Sequence, residues 1–224
     1  MHDLTLIIPA KYESESLPIF LEEIKKLTCK KLVVLQADDK ITINSIETFK
    51  DVEILHQKDL GYGAALIEGI KYISTNYFCI INADGSMNPS DLEKMLSSIN
   101  ENKLDFIFAS RYEFPGGGSD DDTFITSVGN FLFTKIGKIF FSLKITDILF
   151  NYVMGKTKSF HDLMLTSKDF TLCVEFPIQV KRKHYQYSTI PSYERNRIGG
   201  KKKVNAFKDG LLILIKMIKM FFIR

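Results

Sequence analysis

Residues 4–10, LTLIIPA, form an unbroken apolar run that meets a proline at Pro9. That is the pattern of a strand buried on both faces, with a loop after it. The next stretch, 14–27, sets Leu17, Phe20, Leu21, Ile24 and Leu27 at helical spacing, and its Pro18 is tolerated only in a first turn. The alternation then continues. Strands are predicted over 31–37, 52–57, 77–83 and 105–111. Helices are predicted over 62–73 and 89–99, the latter capped by Asn88, and a short helix follows the second strand in ITINSIETF. Strand–helix alternation of this kind implies right-handed crossovers and a mainly parallel sheet covered by helices on both faces. In such sheets ligands bind beyond the carboxyl ends of the strands. Here those ends carry PAKYE, QADDK and NADGS.

The pattern changes after residue 112. A glycine-rich loop leads into a long apolar helix over 128–145, then mixed elements, a basic stretch and a last apolar helix over 206–224. The expected organisation is one domain over 1–204, with a nucleotide-binding half (1–112) and an acceptor half (113–204). An amphipathic helix over 205–224 is appended to it. The 224 residues, 45% hydrophobic and 25% charged, suffice for such a core. The net charge is only +3, but it is uneven. Asp120, Asp121 and Asp122 stand together, while basic residues crowd Lys181 to Lys203. That asymmetry points to an anionic partner, phosphates or a membrane surface, near the C-terminal part. No nucleic-acid motif is present and the acidic triplet breaks any broad basic face, so nucleic acid is not expected.

Three dispersed cysteines, Cys29, Cys79 and Cys173, give neither a metal spacing nor a disulfide framework, and read as buried thiols of a reducing cytoplasm. The start, MHDLTLIIPA, lacks the basic flank of a signal peptide. No run of about 20 uncharged apolar residues is available for a membrane span.

Five segments carry candidate chemistry. GYGAAL (61–66) has Leu66 where a dinucleotide fingerprint needs its third glycine, and it follows the third strand rather than the first; a tight turn into a helix is the simpler reading. NADGS (82–86) has one carboxylate, Asp84, at a strand end, with Asn82 two residues earlier. A pair of carboxylates there would share a cation with a diphosphate; a lone aspartate serves equally well as a turn cap. RNRIGGKKKV (195–204) joins a Gly-Gly to five cations, suited to closing over phosphates or to lying solvated on the surface. The helices over 128–145 and 206–224 are apolar with interspersed lysines. They fit an interfacial pair on a membrane, Lys216, Lys219 and Arg224 reaching headgroups, or else a core or homodimer element.

Taken together and in this order, the segments resemble the family 2 glycosyltransferases of GT-A (Rossmann-like) fold, nearest the dolichol- or polyprenyl-phosphate mannose synthase branch. IIPAKYESESL resembles the opening block through Pro9 and Glu13, with Lys11 where an aromatic residue is usual. QADDK carries Asp38 and Asp39 displaced from the family's Asp-Asp pair. GYGAALIEG resembles a helix start. IINADGSMNP resembles the D-A-D-x-S-x-x-P block with Asn82 for its first aspartate, followed by Ala83, Asp84 and Ser86. FASRYEFPGGG supplies Arg111. TDILFNYVMGK begins like the acceptor block at Asp147, then has Val153 where an arginine is usual. RIGGKKKV supplies Arg197, Gly200 and Lys203.

The resemblance implies an inverting, single-displacement transfer from a GDP- or UDP-sugar to a lipid-linked acceptor, a polyprenyl phosphate, in envelope or surface glycan synthesis. It implies a divalent cation, Mg2+ or Mn2+, at Asp84 and Ser86. Catalytic roles fall to Asp84, Arg111 and Asp147, with Asp147 positioning the acceptor and Arg111 on the diphosphate side. Nucleotide-sugar contacts fall to Pro9, Lys11, Glu13, Asp38, Asn82, Ala83, Asp84, Arg111, Arg197 and Lys203. The expected location is cytoplasmic, peripheral on the inner face of the membrane. A glycan-extending transferase of the same fold, and a degenerate nucleotide-sugar binder without turnover, remain the alternatives.

Overall fold

In the computed structural model, which describes residues 1–200 and 202–223, the first half follows the predicted alternation. The order is β1 (Leu4–Pro9), α1 (Leu17–Glu23), β2 (Lys30–Leu35), α2 (Lys40–Ser45), β3 (Val52–His56), α3 (Tyr62–Tyr72), β4 (Tyr77–Ile80), α4 (Asp91–Glu101) and β5 (Phe106–Ser110). The second half adds β6 (Gly118–Ser119), α5 (Phe124–Phe141), β7 (Val153–Lys156), α6 (Thr157–Asp162), α7 (Leu172–Arg182), β8 (Tyr187–Pro191), β9 (Tyr193–Glu194) and α8 (Ala206–Phe222).

Seven strands form one sheet in the order β3-β2-β1-β4-β7-β5-β8. All neighbours are parallel except β7, which runs antiparallel to both β4 and β5. The two halves are therefore one sheet: β7, from the second half, is inserted between two strands of the first. The short pair β6 and β9 stands apart.

Side chains alternate between two apolar cores, as the period of a strand requires. Leu4, Leu6 and Ile8 of β1 pack with Leu17 and Phe20 of α1, Ile24 just after it, and Leu92 and Met95 of α4. Ile7 faces the other way, into a core with Leu66 and Ile70 of α3, Phe176 of α7 and Ile213, Met217 and Met220 of α8. Burial on both faces explains why these strands read as continuous apolar runs.

Several boundaries differ from expectation. α1 begins only at Leu17, with Pro18 in its first turn, and ends at Glu23. Asn88 is not the N-cap of α4; that position is Ser90, whose N–H donates to Asn88 Oδ1 at 3.1 Å. α5 starts four residues early because Thr123 and Thr126 form a reciprocal capping box, and stops at Phe141 where Ser142 turns left-handed (φ 54°).

α8 is joined to the domain rather than appended to it. Ile213, Met217 and Met220 are buried, and Phe221 meets Phe140 and Phe141 of α5 edge-on at 5.5 and 6.3 Å. Lys216 does not point outward as expected: its Nζ lies 3.1 Å from Glu175 Oε1 on α7. Lys219 is exposed, and Arg224 lies outside the described residues. Among the described residues no helix is long and apolar enough to cross a membrane.

Glu175 is the polar anchor of this docking. Burial would raise its pKa, but hydrogen bonds from Ser167 and the charge of Lys216 outweigh that and hold it below the ordinary glutamate value. A depressed folded pKa means the stabilisation is complete above the unfolded value of about 4.3 and is lost as pH falls through the folded value. Glu175→Gln is expected to cost about 1.5–3 kcal/mol at pH 7, with the gap from wild type narrowing below about pH 4. Urea denaturation across pH checks both; an equal gap at all pH values would contradict the assignment.

Candidate functional site

A cleft of about 660 Å³ opens along the carboxyl ends of β1 to β5. Pro9, Lys11 and Glu13 follow β1; Gln36 follows β2; Gln57 follows β3; Asn82, Ala83, Asp84 and Ser86 follow β4; and Arg111 follows β5. The far wall comes from the second half: Asp121, Asp122, Leu149, Phe150, Phe170, Glu194, Arg197, Lys203 and Ile213 of α8. The cleft is thus polar at the sheet edge, and toward α8 it sets apolar Leu149, Phe170 and Ile213 among Asp169 and Asp209.

The turn after β4 is tightly specified. Asp84 Oδ1 accepts hydrogen bonds from Ser86 N–H (3.1 Å) and Ser86 Oγ (2.8 Å). Ser86 is 1% exposed and spends its only hydroxyl proton on Asp84. Through these two bonds Ser86 orients Asp84. Asn82 Oδ1 accepts from the hydroxyl of Tyr62 at 3.3 Å, and Tyr62 in turn stacks on Phe170 at 5.0 Å.

The basic loop lies across this turn. Ile198 N–H donates to Asp84 O and Arg195 N–H to Ser86 O, both at 2.8 Å. Gly85 (φ +73°) has no room for a side chain, since an added Cβ would sit 2.4 Å from Ile198. Arg197 Nη2 then reaches Asp84 Oδ2 at 3.5 Å and Asp121 Oδ2 at 3.0 Å. Lys203 Nζ lies 3.6 Å from Glu13 Oε1. Glu13 is buried, and its pKa is raised: desolvation prevails over the hydrogen bond from Ser16 and the charge of Lys203, with Asp84 adding to the rise.

Arg111 and Asp147 are placed differently from expectation. Arg111 Nε and Nη2 donate to the two oxygens of Asp147 at 2.7 and 3.0 Å, and Nη1 donates to Glu194 at 3.0 Å. Phe150 lies over the guanidinium, 4.8 Å from ring centroid to Cζ. Burial alone would lower the pKa of Arg111; Asp147 and then Glu194 outweigh it, so the group is held charged. Three of its five N–H donors go to protein carboxylates, and the group also lines the cleft. Asp147 is buried, with both oxygens on Arg111, so it positions Arg111 rather than an acceptor.

Asp38 also misses the cleft: it is exposed on its loop, while Asp39 caps α2 through Thr42 N–H (3.3 Å) and accepts from Tyr12 N–H (2.7 Å). Gln36, at the end of β2, is the side chain that lines the cleft instead. Val153 is a buried sheet residue paired with Phe108, which explains why no arginine stands there. In GYGAAL the glycines serve packing: a Cβ on Gly61 would fall 2.1 Å from Lys168 O, and one on Gly63 2.3 Å from Ser167 O.

Among the described residues no three His, Cys, Asp or Glu side chains converge to form a protein-only metal cage. A Mg2+ or Mn2+ ion shared with a diphosphate needs only one or two carboxylates, the phosphates and waters completing its shell. Asp84 fits that demand, because Ser86 occupies Oδ1 and leaves Oδ2 facing the cleft beside Arg197.

Residues 5–164 match the glycosyl transferase family 2 profile. The chain belongs to that family. Among relatives it is 24% identical over 188 residues to glycosyltransferase AglJ of Haloferax volcanii, covering 82% of this chain and 61% of that protein. Two solved structures share the fold. Glucosyl-3-phosphoglycerate synthase from Mycobacterium tuberculosis, in complex with Mn2+, UDP and phosphoglyceric acid, superposes with TM-score 0.72 at 10% identity over 99% of this chain and 79% of that one. Mannosyl-3-phosphoglycerate synthase from Rubrobacter xylanophilus gives 0.67 at 13% identity over 97% and 72%.

The burial of the Arg111 pair sets a direct test of its role. Removing one partner of a buried ion pair leaves an uncompensated charge and costs about 3–5 kcal/mol. Arg111→Met is expected to destabilise the fold by that order in guanidinium denaturation. Unchanged stability with impaired nucleotide binding would return Arg111 to the diphosphate.

Proposed function

We propose that the protein is an inverting glycosyltransferase that moves a sugar from a nucleotide-diphosphate sugar to a lipid-linked acceptor, a polyprenyl phosphate, at the inner face of a membrane. The observation that carries this reading is the cleft's two-ended character. Its charged end sets Asp84, Arg197 and Lys203 beyond the strand ends; the other end, where Asp169 and Asp209 also stand, runs past apolar Leu149 and Phe170 to Ile213 of α8.

Each residue has a definable task. Arg197 and Lys203 carry charge that opposes the diphosphate as it leaves. Asp84, aimed by Ser86, would hold a divalent cation, Mn2+ or Mg2+. When bound, that ion neutralises charge on the departing diphosphate. An acceptor phosphate is already anionic, so it needs little help from a general base. The M. tuberculosis neighbour has been solved with Mn2+ and UDP-glucose, and we extend that donor class to this chain.

The exterior supports a membrane-bound acceptor. Phe131 and Leu132 of α5 and Leu211 and Ile218 of α8 are about half exposed on helices that pack together. Lys135, Lys208 and Lys219 lie exposed on the same two helices. Near an anionic surface each exposed lysine contributes about 1 kcal/mol.

The central experiment is a transfer assay with UDP- and GDP-sugars, Mn2+ and polyprenyl phosphate. Asp84→Ala is expected to lower metal-stimulated transfer about 100-fold or more while leaving the fold intact. Activity within a few-fold of wild type would remove Asp84 from the site. Absence of transfer with intact nucleotide binding would favour a binder without turnover.

Membrane docking is tested separately. Truncating α8 would uncover the core around Ile213 and Met217, so surface substitutions are the cleaner probe. Leu211→Glu with Ile218→Glu is expected to abolish flotation with anionic liposomes and reduce transfer to a long-chain acceptor. Transfer to a short, soluble acceptor should be unaffected. Failure of the wild-type protein to float would remove the support for a lipid acceptor.

A further inference from the structure

Asn82 leaves the turn after β4 with a single carboxylate. A second one reaches the same place from the opposite wall. Asp121 precedes α5, and its position is fixed by the segment around it: Ser119 Oγ accepts from Asp121 N–H at 3.2 Å and from Asp122 N–H at 2.9 Å. Asp121 Oδ2 and Asp84 Oδ2 both approach one atom, Arg197 Nη2, at 3.0 and 3.5 Å. Both carboxylates are largely buried, their side chains 15% and 12% exposed, and both line the cleft. Two carboxylate oxygens from two distant segments thus converge on a single positive centre.

That centre is incompletely bound. Arg197 Nε is buried with no hydrogen-bond acceptor, whereas Arg111 uses all three of its nitrogens on carboxylates. A buried donor without an acceptor is destabilising, so the guanidinium gains by finding a fuller set of acceptors. A diphosphate offers several. Lys202 Nζ, 3.2 Å from Asp121 Oδ2, is a second cation free to make the same exchange.

We propose that Asp121 is the second carboxylate of the divalent-cation site, supplying from the opposite wall the charge that Asn82 lacks. Asp84 and Asp121 hold the ion between them, and Arg197 and Lys202 transfer to the diphosphate. Every charge keeps a partner through the exchange: two carboxylates pair with the ion, and two side-chain cations pair with phosphate oxygens. The inference rests on the nucleotide-sugar reading above. A different role for the same contact makes the opposite prediction. If Asp121 only mimics phosphate and occupies Arg197, removing its charge frees Arg197 and tightens nucleotide binding without metal.

The test is Mn2+ binding to the full chain, read from the electron paramagnetic resonance of free Mn2+ in the presence of UDP or GDP. Nucleotide affinity without metal is measured in parallel by calorimetry. Asp121→Asn and Asp84→Asn are each expected to weaken Mn2+ binding on the order of 10- to 100-fold. Asn82→Asp, which restores a carboxylate to the turn, is expected to recover most of that loss in the Asp121→Asn background. Should Asp121→Asn fold poorly, Asp121→Ser provides the same charge removal. Unchanged Mn2+ affinity in a folded Asp121 variant overturns the proposal, as does tighter metal-free nucleotide binding. Failure of the wild-type chain to bind UDP or GDP under any condition overturns the nucleotide-sugar reading itself. Binding that depends on Mn2+ and Asp84 but not on Asp121 defeats only this inference.

Discussion

One buried guanidinium registers three segments of the second half against the end of β5. Arg111 leaves the end of β5 and is clamped by Asp147, from the segment between α5 and β7, and by Glu194 on β9. Arg111 N–H donates to Asp147 as well, at 3.1 Å. Ser119 of β6 donates to the same Glu194 oxygen as Arg111, at 2.5 Å. Three otherwise separate segments are thereby registered against a sheet edge. A buried charge so surrounded resists displacement, because any departure strands an unpaired ion in a low-dielectric site. The cleft's far wall, including Asp121, Asp122 and the start of α5, inherits its position from that clamp.

A division of labour among cations follows. Arg111 has each of its three nitrogens on a protein carboxylate and registers the scaffold. Arg197 is shared between Asp84 and Asp121, Lys202 pairs with Asp121 and Lys203 with Glu13; all three are more exposed than Arg111, and one buried donor of Arg197 is left over. Burial of carboxylates beside a movable basic strap gives an anion site that is charge-balanced before any anion arrives. Among the described residues of the loop, Arg197, Lys202 and Lys203 have their counter-charges in Asp84, Asp121 and Glu13, and Arg195 has its own in Glu23.

The sheet was legible because its strands are buried on both faces, so LTLIIPA and YFCIINA read as apolar runs whatever their neighbours. The turn at Asp84 was legible for the same reason: the apolar run stops there and a polar loop begins. The far wall was not. Asp120 to Asp122 read as surface charge, and only the capping box at Thr123 and the fold of the glycine-rich segment turn Asp121 into the cleft. β7 escaped because a four-residue strand that pairs antiparallel between two parallel strands leaves no alternation to detect. Asp147 and Arg111 were singled out as a matter of residue type, yet their mutual pairing depends on a long-range meeting that no local spacing encodes. Gln36 was overlooked for the adjacent Asp38, because a charge attracts notice and an amide does not.

α8 connects the interior to the outer surface. Its inner side reaches the cleft through Ile213 and the sheet core through Met217 and Met220, while Glu175 fixes it by way of Lys216. The outer side of the same helix, with α5 beside it, is apolar and exposed. A helix packed on one side by the core and left apolar on the other is poorly matched to water on that second side. Contact between that outer side and an apolar phase would bury the exposed residues without unpacking Ile213 or Met217. An acceptor arriving from that phase would then meet the cleft at its α8 end, and the charged end beyond the strands would remain in water, where a nucleotide sugar is found.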